Sequence, residues 1–201
     1  MASDAGADAV GFVFAPSPRR VTAAQVAAIT AHLPDSLEKI GVFVDADLDE
    51  ICSNVRACGL TGVQIHSGGE PNLAGKLRDE LGPALQIVHA VHFGPEAAQR
   101  AAVIAADSNV DAILVDSRTA TAVGGTGTTF DWVASRATVF GDARTLKLIA
   151  AGGLSPGNVR EAIATLRPWG VDVASGVEAA PGRKDPAKVR AFIAAARLAL
   201  E

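Results

Sequence analysis

The chain has 201 residues, 49% apolar and 20% charged, with 20 Gly, 10 Pro and no Tyr. That suits one globular domain spanning 1–201 and is too hydrophobic and too evenly charged for a disordered chain. A formal net charge of −4 leaves no basic footprint for nucleic acid or an anionic membrane. No run reaches the roughly 18 apolar residues of a membrane span, and MASDAGADAV lacks the basic and apolar regions of a signal peptide. A cytoplasmic protein with no membrane or nucleic-acid partner is expected.

In chain order, short runs rich in Val, Ile and Phe alternate with amphipathic stretches. Strands are predicted at 9–14, 39–44, 62–66, 85–92, 112–116, 146–151 and 171–175. Their near-continuous apolar character suits strands covered on both faces, as in a parallel sheet. Helices are predicted at 22–33, 48–58, 72–81, 95–106, 130–138, 156–166 and 186–200. Thr22 and Asp47 are placed to cap the first two. Ser155 before Pro156 and Asp185 before Pro186 each read as an N-cap followed by proline at the first helical position. Gly59 and Gly82 sit where a left-handed C-cap is wanted. No linker or low-complexity run divides the chain.

Cys52 and Cys58 share one predicted helix. Six residues of helical rise separate their Cα atoms by about 9 Å, beyond disulfide reach. Without a neighbouring His or Cys they make a poor metal site, so buried, reduced thiols are expected and no metal is implied.

Seven strand–helix units allow an open doubly wound sheet or a (β/α)8 barrel one unit short. No G-x-G-x-x-G follows Phe14, as a dinucleotide-binding sheet would require. The glycine-rich turns come late instead, at Gly152-Gly153 and Ser175-Gly176, where barrels commonly bind phosphate on backbone N–H groups. A barrel lacking its first strand and most of its first helix, with seven parallel strands, is therefore predicted.

In such a barrel the C-terminal strand ends converge on one mouth. Those ends carry Arg19 and Arg20 in a proline-stiffened loop, Gln64 and His66 on one face of their strand, His89, His92 and Asp116. The glycine-rich segment TATAVGGTGTTFDW follows Asp116 and reads as a mobile lid or substrate loop. An acid, an arginine and two phosphate-type turns suggest an enzyme acting on a phosphorylated, carboxylate-bearing small molecule.

The segments GADAVGFVFAPSPRRV, IGVFVD, VQIH, ILVDS, GGTGTTFDW, AAGGLSPGNVREAI and GVDVASGVEAAPGRKDPAKVRAFI closely resemble the phosphoribosylanthranilate isomerase family, in order from about Gly6 to the C-terminus. The resemblance implies a (β/α)8-barrel enzyme of tryptophan biosynthesis that performs an Amadori rearrangement without cofactor or metal. It implies Asp116 as general acid on the furanose ring oxygen, a role that calls for a carboxyl kept protonated by burial. It implies Arg20 as the anthranilate carboxylate fork, Gly152, Gly153, Ser175 and Gly176 as the phosphate grip, and Gln64, His66 and Asp172 as site lining. The chain departs from the family at its start. Members normally begin with a strand resembling KICG, whose cysteine is the general base; here MASDAGADAV falls inside the following helix, and neither Cys52 nor Cys58 matches that cysteine. Weak turnover is expected, as are open sheet edges at 9–14 and 171–175 covered by a homo-oligomer or another segment. The alternatives are another phosphosugar isomerase of the same fold, such as the histidine-pathway enzyme with two aspartates, and a non-catalytic phosphate-binding barrel.

Overall fold

A computed structural model describes residues 1–66, 70–116, 132–141 and 146–199. Among these, seven strands each lead to a helix: β1 (Ala9–Val13), α1 (Ala23–Thr30), β2 (Glu38–Val44), α2 (Leu48–Cys58), β3 (Gly62–His66), α3 (Leu73–Leu81), β4 (Gln86–His92), α4 (Ala97–Ala105), β5 (Ala112–Asp116), α5 (Trp132–Thr138), β6 (Lys147–Ala151), α6 (Val159–Leu166) and β7 (Gly170–Val171). A small antiparallel hairpin, β8 (Glu178–Ala180) with β9 (Arg183–Lys184), separates β7 from α7 (Pro186–Leu198). This is the α/β, parallel-strand architecture expected. The chain forms two compact units, Met1–His89 with Ser108–Asp111, and Ala90–Asp107 with Ala112–Glu201.

In the first unit β1, β2, β3 and the start of β4 are neighbours in chain order. Parallel registers set Phe12 beside Gly41 and Phe43 beside Ile65. Period-2 alternation then sorts the side chains. Phe12, Phe43, Val63 and Ile65 are buried, as are Val26, Ile51, Val55 and Leu77 on the helices. Phe14 stacks on Phe43 with ring centroids 5.0 Å apart, near-parallel at 4°. The opposite sheet face carries Val13, Val42, Gln64 and His66, all half-buried.

In the second unit β5, β6 and β7 run parallel in chain order. All five residues of β5 are buried. The core gathers Ile113 and Val115 of β5, Leu148 and Ala150 of β6, Ala97 and Ala101 of α4, and Val139, Phe140 and Leu166.

The caps follow the local chemistry, with two exceptions, Gly82 and Ser155. Thr22 forms a full capping box with Gln25, and Asp47 accepts the Glu50 N–H at 2.8 Å. Asp185 accepts from Ala187 and Lys188 at 2.8 and 3.1 Å, with Pro186 beginning α7. Gly59 closes α2 in the left-handed conformation, whereas Gly82 closes α3 with positive φ but an extended ψ. Ser155 does not cap a helix starting at Pro156. Asn158 takes the Ser155 N–H on its Oδ1 at 2.7 Å and donates to the Gly153 carbonyl, so residues 153–158 form a turn and α6 begins at Val159. The strand expected at 171–175 is also shorter. Pairing to β6 ends soon after Val171, and Ser175–Val177 is a 3-10 turn.

In the first unit one arginine ties the approach to β4 to residues 109–111. Arg78 of α3 donates to the carbonyls of Pro83, Leu85 and Asn109 and to Asp111 Oδ2 at 2.7 Å. The same carboxylate oxygen accepts the Ile87 N–H at 2.7 Å. Arg78→Met therefore strands several part-buried acceptors and is expected to cost about 2–4 kcal/mol in urea unfolding. Arg56→Met removes only an exposed pair with Glu80 and is expected to cost under about 1 kcal/mol. Equal losses in the two variants would refute the tie.

Candidate functional site

The second unit brings several predicted residues to one end. Asp116 closes β5 and is partnered in register with Ala151, the last residue of β6. The next residue of the β6 chain is Gly152, so the carboxyl and the Gly152-Gly153 turn leave the sheet side by side. The Asp172 N–H bonds to the Ala150 carbonyl at 2.9 Å, which sets Asp172 at the same end of β7. Asp116 is buried, 6% exposed, whereas Asp172 is exposed.

Gly152 and Gly153 both take positive φ, +83° and +63°, a conformation costly to side-chain-bearing residues. Two successive residues of this kind turn the chain sharply and leave its backbone uncovered by side chains. Gly176 answers a different demand. A Cβ there would lie 1.8 Å from the Leu154 carbonyl oxygen and 2.9 Å from its carbon. The two glycine turns thus meet backbone to backbone, and only glycine fits between them.

Three contacts hold the second turn from behind. The Asp185 N–H donates to the Val177 carbonyl at 2.8 Å. Lys188 Nζ donates to the Glu178 carbonyl at 2.9 Å, and Lys184 Nζ to the Ala174 carbonyl at 2.8 Å. Hydrogen bonds from the Lys188 N–H and then the Ala187 N–H hold the Asp185 carboxyl below its usual pKa. Lys184, Glu178 and Asn158 carry no strand-end signal, so sequence reading passed over them. The turn-forming residues S-P-G-N are a signal that could have found Asn158; only the folded hairpin shows what Lys184 reaches.

The first unit holds Arg20, Gln64 and His66. The loop after β1 folds back beside the strand it leaves: Arg20 makes a parallel bridge with Val13, and the Val21 N–H bonds to the Val13 carbonyl at 2.9 Å. The Arg19 N–H donates to Ser17 Oγ, closing the turn, and Arg20 is exposed. Gln64 and His66 share a face of β3, as alternation predicts, and join through Gln64 Nε2 and His66 Nε2. On β4, His89 is half-buried and His92 exposed. The segment at 119–131, including most of GGTGTTFDW, lies outside the described residues.

Both cysteines sit within α2, 4% and 1% exposed, and burial pushes both thiols up in pKa. Neither has the depressed pKa of a reactive thiolate. Among the described residues no group of three His, Cys, Asp or Glu is placed to hold a metal, and no helix is long and apolar enough to cross a membrane. An open cleft of about 530 Å³, lined by Cys52, Arg56 and Glu80 among others, belongs to the helices α2 and α3 and contains none of the predicted site residues.

A family model described as N-(5'phosphoribosyl)anthranilate (PRA) isomerase matches residues 1–195. The chain is 40% identical over 198 residues to the N-(5'-phosphoribosyl)anthranilate isomerase of Pelobacter propionicus, covering 98% of this chain and 88% of the relative. Its structure superposes on crystalline phosphoribosyl anthranilate isomerase from Thermotoga maritima with a TM-score of 0.82 at 36% identity, covering 98% and 91% of the two chains. A phosphoribosyl anthranilate isomerase crystallised with reduced 1-(o-carboxyphenylamino)-1-deoxyribulose 5-phosphate gives a TM-score of 0.79 at 34% identity, covering 98% and 90%.

Gly176→Ala drives a methyl into the Leu154 carbonyl. It is expected to lower stability by about 2–4 kcal/mol. Ser175→Ala, at an exposed position, is expected to change it by less than about 0.5 kcal/mol. Thermal unfolding of both variants checks this, and an unshifted melt for Gly176→Ala would mean the turns do not meet.

Proposed function

The chain belongs to the N-(5'-phosphoribosyl)anthranilate isomerase family, and on that premise we propose that it acts as a single barrel domain in tryptophan biosynthesis. Its reaction is the Amadori rearrangement of N-(5′-phosphoribosyl)anthranilate to the 1-deoxyribulose 5-phosphate isomer. The observation that carries this reading is the register that places the buried Asp116 beside Gly152. A proton donor and a phosphate-type turn stand one strand apart, the spacing a phosphosugar needs if its ring oxygen and its 5′-phosphate are to be engaged together.

Each residue then has a task. The Gly152-Gly153 and Ser175-Gly176 turns receive the phosphate on backbone N–H groups. The Arg20 guanidinium takes the anthranilate carboxylate as a planar fork. Gln64, His66 and Asp172 line the site. Asp116 donates its proton to the ring oxygen, the C1′–O bond breaks, and nitrogen's lone pair forms the iminium. A base then removes the C2′ proton; those C–H electrons form the C1′–C2′ double bond while the C=N π electrons return to nitrogen. The resulting enolamine tautomerises to the ketone.

Neither thiol among these residues suits the base. The resemblance places the family's base on a cysteine of the first barrel strand, and Cys52 and Cys58 are buried helix thiols. Since general-base catalysis contributes roughly 10²–10⁴ in rate, these 201 residues alone should bind the substrate and turn it over at or near background. Turnover within about tenfold of the Thermotoga maritima enzyme would overturn the account of the base. A non-catalytic phosphate-binding barrel is the second reading, favoured by the same buried thiols. It is separated from the first by placing a relative's cysteine-bearing first strand ahead of residue 1. Activity that appears in that extended chain, and falls at least about 100-fold on Asp116→Asn while the reduced product analogue still binds, supports the isomerase. An unchanged rate removes Asp116 from the mechanism.

β1 has one strand neighbour, β2, among the described residues. An edge of this kind offers unpaired backbone groups, so the 201-residue chain is expected to associate or to be marginally stable. A monomer by light scattering that also melts high would contradict this.

A further inference from the structure

Glu178 is a buried carboxylate beside a turn assigned to bind an anion. It follows Gly176 by two residues and its side chain is 5% exposed. Negative charge in such a place is doubly unfavourable: it is costly to bury without a partner, and it repels a phosphate approaching the same turn. Lys184 addresses both. From β9 its ammonium reaches back to Glu178 Oε1 at 3.2 Å and to the Ala174 carbonyl at 2.8 Å. These two acceptors flank Ser175–Val177 on either side. The lysine side chain is 38% exposed against 5% for the carboxylate, so the cluster presents its positive end to solvent. The carbonyls of Val177 and Glu178 are likewise held, by the Asp185 N–H and by Lys188 Nζ. A carbonyl occupied by a donor is not turned toward an anion.

We infer that Lys184 is a positioning residue for phosphate recognition: bridging Ala174 and Glu178, it neutralises the buried carboxylate and fixes the Ser175–Val177 turn for an incoming phosphate. This rests on the phosphate reading of the two glycine turns. Lys184 does not touch the reacting atoms in this account; it acts through the turn.

Inorganic phosphate titrated into the 201-residue chain, followed by calorimetry and by the amide resonances of Ser175 and Gly176, tests it. Saturable shifts at those two amides are expected. Lys184→Met is expected to weaken phosphate about tenfold, and Lys184→Arg to stay within about threefold because it restores the charge-assisted contacts. Adding Glu178→Gln to Lys184→Met should recover most of the lost affinity, which a merely structural lysine would not allow. Unmoved Ser175 and Gly176 resonances in the unsubstituted chain would overturn the phosphate reading itself. A normal titration with unchanged affinity in Lys184→Met would overturn the Lys184 role alone. A double variant as weak as Lys184→Met would overturn the neutralisation. Where Lys184→Met does not fold, Glu178→Gln alone decides: binding at least as tight as the unsubstituted chain supports the proposal, and weaker binding overturns it.

Discussion

The parallel register of β5 on β6 is the constraint from which the site follows. Because Asp116 pairs with Ala151, the acid closing one strand and the glycine turn closing the next must emerge together. Parallel strands leave no choice in this: every C-terminus lies at one end, and slipping the register by one residue would turn Asp116 to the other face. The burial of all of β5 makes that slip costly, since it would rotate Ile113 and Val115 out of the core they share with β6 and α4.

The two ends of the strands are held in different ways. At the N-terminal end Arg78 spends its guanidinium on three carbonyls and the Asp111 carboxylate, all within the protein. Its donors are satisfied internally, so the contact contributes stability and offers nothing to a ligand. At the C-terminal end of β6 and β7 the turns are held from behind, by Asn158 on Gly153 and Ser155, by Lys184 of the hairpin on Ala174 and by Lys188 of α7 on Glu178. The supporting groups reach the carbonyls and brace the turns without filling the glycine backbone.

Most elements were legible because their signals are local. The β-branched runs of β2, β3 and β5, the capping box at Thr22 and the Asp185-Pro186 start of α7 depend on residues within a few positions of one another. The misreadings share a cause. Val171–Ser175 has an apolar, strand-like start, yet after Val171 the chain leaves β6 and bends into the turn that meets Leu154. Ser155-Pro156 is a sound local start for a helix, but the Asn158 amide captures the Ser155 N–H and the Gly153 carbonyl. In both places a contact formed across a turn outweighs a one-residue preference of a few tenths to about 1 kcal/mol.

By itself the sequence determined the alternation of strand and helix, the candidate carboxyl and the position of the glycine-rich turns, because periodicity and backbone propensity act over a handful of residues. The folded chain alone decided that Asp116 stands beside Gly152, that Gly176 must be glycine because the Leu154 carbonyl occupies the space of its Cβ, and that Lys184 ties Glu178 to Ala174. Those facts depend on strand register and on turns meeting across more than twenty residues of chain, as Leu154 and Gly176 do, and no local pattern records which turn a strand's end will meet.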